Sequence, residues 1–395
     1  MHTDRRLSLG AHRCSRALVT LACVCSLAHS RHSSGQDSDS DGVPDSCEVA
    51  AGALDDDCDG YLDLCEQWYG NFDLDADIDA KDLVVVLNQW GHAGAVIGDV
   101  DGDWFVDGND LALLLVRWGE VTYSGPAPPA WATVIERCPD PLVVQSETLR
   151  NAITATGLPW RVRDNATQIE MLLIPPSTFV MGCSASNAYG CNLNESPVHQ
   201  VTLSSAYYLG RYEVTQAQWQ ATMGSNPSQY IGYSDSPSRP VERLSWTTVQ
   251  LFTSATGLRL PTEAERECAY RAGTTTAFHG MPGHPNGTSD DTLLATIAWY
   301  TDNSSGQTHA VGGKAANALG LHDMSGNVWE WINDWYGAYS STHQTNPTGP
   351  ETGTYRLLRG GGWHYASGTC RASRREYFTP AYSHNDIGFR VARSP

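Results

Sequence analysis

Positive charge is scarce in this 395-residue chain: 25 Lys and Arg stand against 44 Asp and Glu, a formal net charge of −19. No basic patch relieves the deficit, so nucleic-acid binding has no electrostatic footing. Long apolar runs are lacking too. The stretch Ala17–Ala28 (ALVTLACVCSLA) is too short to span a bilayer, and no later segment offers a membrane anchor. Several catalytic signatures are also missing: the chain has no H-E-x-x-H, no G-x-S-x-G, no P-loop and no dinucleotide fingerprint. Those absences leave no motif for a zincin, an α/β-hydrolase or a nucleotide-dependent enzyme.

What the first thirty residues do contain is a targeting pattern. Arg5, Arg6, Arg13 and Arg16 precede the apolar run, and Ala28-His29-Ser30 offers small residues at the positions a signal peptidase reads. The pattern predicts a signal peptide over 1–30 and a secreted or cell-surface protein. Of the 11 cysteines, Cys14, Cys23 and Cys25 would leave with it. The remaining Cys47, Cys58, Cys65, Cys138, Cys183, Cys191, Cys268 and Cys370 are even in number, which in an oxidising compartment favours disulfides. Cys183 and Cys191, eight apart across a Ser/Asn/Gly loop, read as a local disulfide.

The negative charge is local. Residues 37–119 hold 21 acidic residues against Lys81 and Arg117, which alone accounts for the −19. The stretches DSDSDGVPDSCE and DDDCDGYLDLCE both follow D-x-D-x-D-G-x-x-D-x-x-E, and lie eighteen residues apart. Carboxylates at positions 1, 3, 5, 9 and 12 are hard oxygen donors for Ca²⁺, and Gly at position 6 permits the sharp turn. The candidate ligands are Asp37, Asp39, Asp41, Asp45 and Glu48 in the first loop and Asp55, Asp57, Asp59, Asp63 and Glu66 in the second. Two further loops follow with a period of 28 residues. One offers Asn71, Asp73, Asp75, Asp79 and Asp82; the other offers Asp99, Asp101, Asp103, Asp107 and Asp110. Position 6 is Ala76 in one and Trp104 in the other, a departure that weakens both sites.

Each of these later loops runs into an apolar helix, LVVVLNQW or LALLLVRW, for which mutual burial is the simplest expectation. The loop-helix duplication from residue 71 resembles the dockerin type of calcium module, an EF-hand-like unit, which implies a protein partner docked on those helices. The first pair resembles thrombospondin type 3 repeats, which also place Cys at position 11; Cys47 and Cys65 occupy it here, a candidate pair. SGPAPPAW (Ser124–Trp131) then reads as a stiff linker within 120–165.

From residue 166 the chain is strand-rich, aromatic and loop-rich. VHQVTL alternates as a strand. TQAQWQATMG predicts a helix capped by Thr215, and PTEAERECAYRAG predicts one with a Thr262/Glu265 capping box and a stop near Gly273. The ordered blocks YYLGRYEVTQAQWQ, NPS, RPVERLSW, RLPTEAERE, GLHDMSGNVWEW, LRGGGW and GFRVARSP resemble the formylglycine-generating enzyme family, also called sulfatase-modifying factors. The resemblance covers about 169–395. It implies an α+β, loop-rich, C-type-lectin-like domain over 166–395, behind a small α-helical N-terminal module.

The resemblance also implies chemistry. Active members oxidise the cysteine of a C-x-P-x-R segment to formylglycine with O₂ and a copper ion held by two cysteines after the R-G-G-S block. Cu(I) is soft and prefers thiolates. Here the block reads RGGGWHYASGTC, with His364-Tyr365-Ala366-Ser367-Gly368-Thr369 where both thiols belong, so the sequence argues against copper. Cys370 matches a non-catalytic cysteine that relatives bond to the PTEAE helix, where this chain offers Cys268 two residues away, so the resemblance implies a staple or a buried thiol. A reactive Cys370, activated by Arg371 and Arg374, is the lesser expectation. Gly362 replaces the family's serine, and Trp329 keeps the tryptophan of the oxygen pocket. The family's E-W-E-Y reads Glu265-Arg266-Glu267-Cys268. A structural Ca²⁺ is implied at Asp323, Gly326, Val328 and Glu330, the glycine and valine through carbonyls.

Two functions follow. One is a non-oxidising binding or scaffold member, contacting a peptide or carbohydrate through Trp363, His364 and Tyr365, with Tyr377, Phe378 and Tyr382 nearby. The other is a formylglycine-generating oxidase using a site the motifs do not reveal. His199 and His309 are expected to be structural.

Overall fold

The computed structural model describes residues 80–90, 106, 111–112, 115, 128–183 and 190–395. The chain divides into two compact units, Met1–Gly125 and Pro126–Pro395. The signal peptide, the first three calcium loops up to residue 79 and the Cys47–Cys65 pair lie outside the described residues, as do Asp99, Asp101, Asp103, Asp107 and Asp110.

In the first unit, helix α1 spans Ala80–Gln89, which sets Asp82 in its first turn. Burial along this segment is uneven. Val86 is fully buried, whereas Val84, Leu87 and Trp90 are about half exposed, at 53%, 52% and 46%. Val84 and Leu87 are three apart and share one side of the helix, and Trp90 follows directly after its last turn.

The second unit begins with β1 (Ala132–Glu136), α2 (Glu147–Thr154), β2 (Arg161–Asp164), β3 (Glu170–Ile174) and β4 (Ser177–Met181). The expected linker over 120–165 is therefore corrected: from Ala132 it is part of the fold. β1 and β2 pair antiparallel, and Val144, Ile153 and Trp160 lie in the main core. The prolines before Trp131 and the Pro139/Pro141 turn hide two short strands too brief to show a period in sequence.

The chain continues through β5 (His199–Leu203), β6 (Tyr207–Gly210), α3 (Gln216–Met223), α4 (Trp246–Thr256) and α5 (Glu263–Arg271). α3 starts where the pattern predicts, with Thr215 and Gln218 forming a capping box and Gly224 closing the helix in the left-handed region. The Thr262/Glu265 box opens α5, whose cap falls at Ala272, one residue before Gly273. Then come β7 (Ala298–Trp299), β8 (Ser325–Gly326), β9 (Trp329–Trp335), β10 (Gln344–Thr345), β11 (Arg356–Arg359), β12 (Glu376–Phe378), β13 (Ile387–Gly388) and β14 (Ala392–Arg393).

Among the described residues these strands form four sheets. A five-stranded antiparallel sheet runs β1-β2-β3-β6-β14, so the last strand of the chain closes the sheet that the first one opened. The others run β10-β5-β4, β12-β11-β9-β13 and β7-β8. The result is an α+β, loop-rich domain with few helices. No helix among the described residues is long and apolar enough to cross a membrane.

The core carries ion pairs as well as hydrocarbon. Glu195 accepts from Arg371 at 2.7 and 2.8 Å, Glu263 from Arg375 at 2.6 and 2.8 Å, and Glu267 from Arg271 and Arg359. Burial opposes the charge of Glu195, but Arg371 and Ser373 outweigh it and hold the carboxyl at about 2.

Candidate functional site: an aromatic and imidazole face after the glycine run

Strand pairing assembles the site. β11 lies antiparallel to β9 with Arg359 opposite Glu330, and β13 lies parallel to β9 with Ile387 opposite Trp329. The end of β11 and the approach to β13 therefore meet at the start of β9. The chain leaves β11 through Gly360 and Gly361, at φ 102° and 83°. A side chain on Gly361 would sit 2.9 Å from Cys370 Sγ and 3.0 Å from Thr369 O, so only glycine fits this fold-back. At Gly362 an added Cβ would touch Trp329 Cδ1 at 3.1 Å.

Next come the three residues expected to meet ligand, and the structure brings them together. Trp363 donates from Nε1 to Asn385 O at 3.1 Å and stands edge-on to Tyr230, 5.5 Å between centroids. His364 lies between Trp363 and Tyr365, its ring 4.5 and 4.2 Å from theirs. Tyr365 packs edge-on against Trp329. Trp329 itself is 2% exposed, a core residue carrying the face rather than part of its surface.

Sequence reasoning missed the opposite wall. His384 lies 5.7 Å from the His364 ring, and Tyr382 stacks between Phe378 and His384. Asp386, 2% exposed, holds His384 Nδ1 through one oxygen and lies 3.7 Å from His364 Nδ1 through the other. Its backbone carbonyl accepts from Trp329 N at 2.7 Å, so the sheet fixes its position. Burial and the neighbouring Asp386 together push the Tyr365 phenol well up, and burial lowers His364. The His-x-Asp spacing in SHNDIGF was the available signal.

Of the two expectations for Cys370, the buried thiol holds and the staple does not. Cys268 and Cys370 are free and buried, which corrects the candidate Cys268–Cys370 disulfide. Cys268 belongs to the main core and contacts Ser177 Oγ at 3.0 Å; Cys370 belongs to a second cluster with Phe278, Ile297 and Tyr300. The physical reason is helical geometry. Two residues turn a helix by roughly 200°, and it is Tyr270, not Cys268, whose hydroxyl reaches Cys370 O at 2.7 Å. Activation of Cys370 by arginine is corrected as well. Arg371 is spent on Glu195 and Arg374 on Glu376, while burial pushes the Cys370 thiol up to about 12. One buried, protonated thiol does not fit a two-thiolate copper site. Cys183 and Cys191 are disulfide-bonded, Cα atoms 5.7 Å apart.

Of the four residues expected to hold calcium, Asp323 lies just before β8, Gly326 in β8, Val328 in the turn that follows and Glu330 in β9. Glu330 does not fit that role. Arg266 donates to both its oxygens at 2.7 and 3.1 Å, Arg390 donates as well, and Arg266 also takes Met324 O. The residue that departs from the family's tryptophan thus supplies the balancing charge. Asp323 is different: Oδ2 accepts from Gly312 N, and Oδ1 is buried without a hydrogen-bond partner. Gly326 lies with its backbone packed against Trp299 and Val328 donates its N–H to Glu213. His309, half-buried, stacks on Trp299, and His199, buried, packs tilted against Tyr339.

Residues 160–395, more than half of the chain, match the sulfatase-modifying factor enzyme 1-like domain. This chain belongs to the sulfatase-modifying factor family. The chain is similar to "Chaperone protein LppX" of Paenibacillus barcinonensis, 32% identical over 250 residues, covering 49% of this chain and 82% of that one. The formylglycine-generating enzyme of Thermomonospora curvata is 34% identical over 195 residues, covering 46% of this chain and 63% of its own, so less than two thirds of that enzyme is matched. Among solved structures, Treponema denticola variable protein 1 superposes with a TM-score of 0.51 at 29% identity, over 57% of this chain and 95% of that one. The likeness ties the loop-rich architecture described above to the sulfatase-modifying factor fold.

Proposed function

We propose that this sulfatase-modifying factor family member is an exported, non-oxidising binding protein. It contacts a peptide or carbohydrate through the face of Trp363, His364 and Tyr365 and carries calcium in its acidic repeats. One observation carries the reading: where the chain leaves Gly362 it presents aromatic and imidazole rings, and its one thiol there, Cys370, is fully buried. Oxidation through copper needs two soft donors. Rings flanked by exposed Tyr382 instead suit stacking on a sugar or packing on a peptide. The exposed stripe Val84, Leu87 and Trp90 supports a protein partner on α1.

At Asp323–Glu330 a cation would have to compete with Arg266 and Arg390 for Glu330, so our reading keeps calcium to the repeats. The similarity to an enzyme named for formylglycine generation keeps an oxidase using other donors as the second reading.

The test is binding of the full mature chain to peptide and oligosaccharide arrays. Trp363→Ala and Tyr382→Ala should each weaken the ligand found by roughly tenfold or more, the behaviour of an aromatic anchor. Equal binding by both variants would overturn the proposed face.

A further inference from the structure

We propose that His364, His384 and Asp386 form a binding site for a divalent first-row transition-metal ion. Each offers one ligand atom, and the three atoms lie within 4.8 Å of one another. Two imidazole nitrogens and one carboxylate oxygen are a donor set that suits zinc or iron and leaves coordination positions open. Donors bound at about 2.0–2.2 Å sit at most about 4.4 Å apart, so the site needs only a small closure. His384 can supply it: its side chain is 45% exposed, whereas Asp386 is 2% exposed and set by the pairing of β13 with β9.

A second observation points to the same ion. His364 Nδ1 is buried with no hydrogen-bond partner, yet lies 3.7 Å from Asp386 Oδ2. An unsatisfied buried nitrogen facing a buried carboxylate oxygen is costly, and a shared cation satisfies both atoms. The charge balance agrees. Glu195, Glu263, Glu267 and Glu330 are each bound by arginine, while Asp386 is met by two imidazoles and the Tyr365 phenol. Arginine would fill a carboxylate site permanently; imidazole leaves it available to a metal. Trp363 and Tyr365 flank His364, so a ligand held on their rings would lie beside the ion.

The site shares His364 with the binding face but stands on its own geometry, so either proposal can fail alone. The test uses the tag-free full chain, stripped of metal and held in Ca²⁺ to fill the acidic repeats. Titration with Co²⁺ should give one equivalent with visible ligand-field absorption, displaced by Zn²⁺. His384→Gln removes an exposed ring without touching the core and should weaken that equivalent by roughly tenfold or more, with Asp386→Asn doing the same. His343→Ala, an exposed histidine elsewhere, should leave it unchanged. Absence of the Co²⁺ spectrum, or equal affinity in the natively melting His384→Gln protein, would overturn the site.

Discussion

Cys370 shows how far one residue's chemistry depends on what surrounds it. In sequence it sits between Thr369 and Arg371, with Arg374 close by, the setting of an activated thiol. In the fold Gly361 closes over it, both arginines are engaged by carboxylates, and burial pushes the thiol up to about 12. Native protein should therefore leave both Cys268 and Cys370 unmodified by a thiol reagent at neutral pH, and both should label once the protein is denatured. Rapid labelling of Cys370 in the native state would contradict the packing. Arg266 makes the opposite case, a residue whose role was open in sequence and is fixed by a 2.7 Å contact with Glu330. Removing one partner of a buried pair costs about 3–5 kcal/mol, so Arg266→Ala should lower stability by that order in denaturant unfolding. Glu195 is held below its ordinary range, so its contribution to stability is present above the unfolded carboxyl range and fades as pH falls from about 4.5 towards about 2. Melting curves across that window should show the loss, and Glu195→Gln should flatten it.

At the scale of elements, helices with a cap signal were legible and short strands were not. Thr262 and Glu265 mark the start of α5 because the box satisfies two N–H groups that the helix leaves free. Thr262→Ala should accordingly cost about 0.5–2 kcal/mol, read as a lower unfolding midpoint. β7, β8, β10, β13 and β14 are two residues long, and no alternation exists in two residues. β1 and β2 were hidden by the prolines around them. The face at Trp363–Tyr365 was visible because the family blocks placed it, while His384 and Asp386 were missed. Their convergence depends on β13 pairing with β9, a contact about sixty residues long in sequence that no local pattern records.

For the whole molecule, family and architecture follow from residues 160–395, and the two-unit division matches the change from acidic repeats to strand-rich sequence. Activity does not follow from the fold, because function resides in the site it carries. Here that site has rings and imidazoles on its surface and its thiols in the core. The central claim is that this member does not generate formylglycine. The direct measurement incubates purified mature protein with Cu(I), O₂ and a peptide carrying C-x-P-x-R, and follows the peptide by mass. The account predicts a peptide whose cysteine is never converted to the aldehyde, under conditions where a copper-bearing relative converts it. Catalytic turnover by this chain, retained in a Cys370→Ser variant, would contradict it and assign the oxidation to donors other than thiolates.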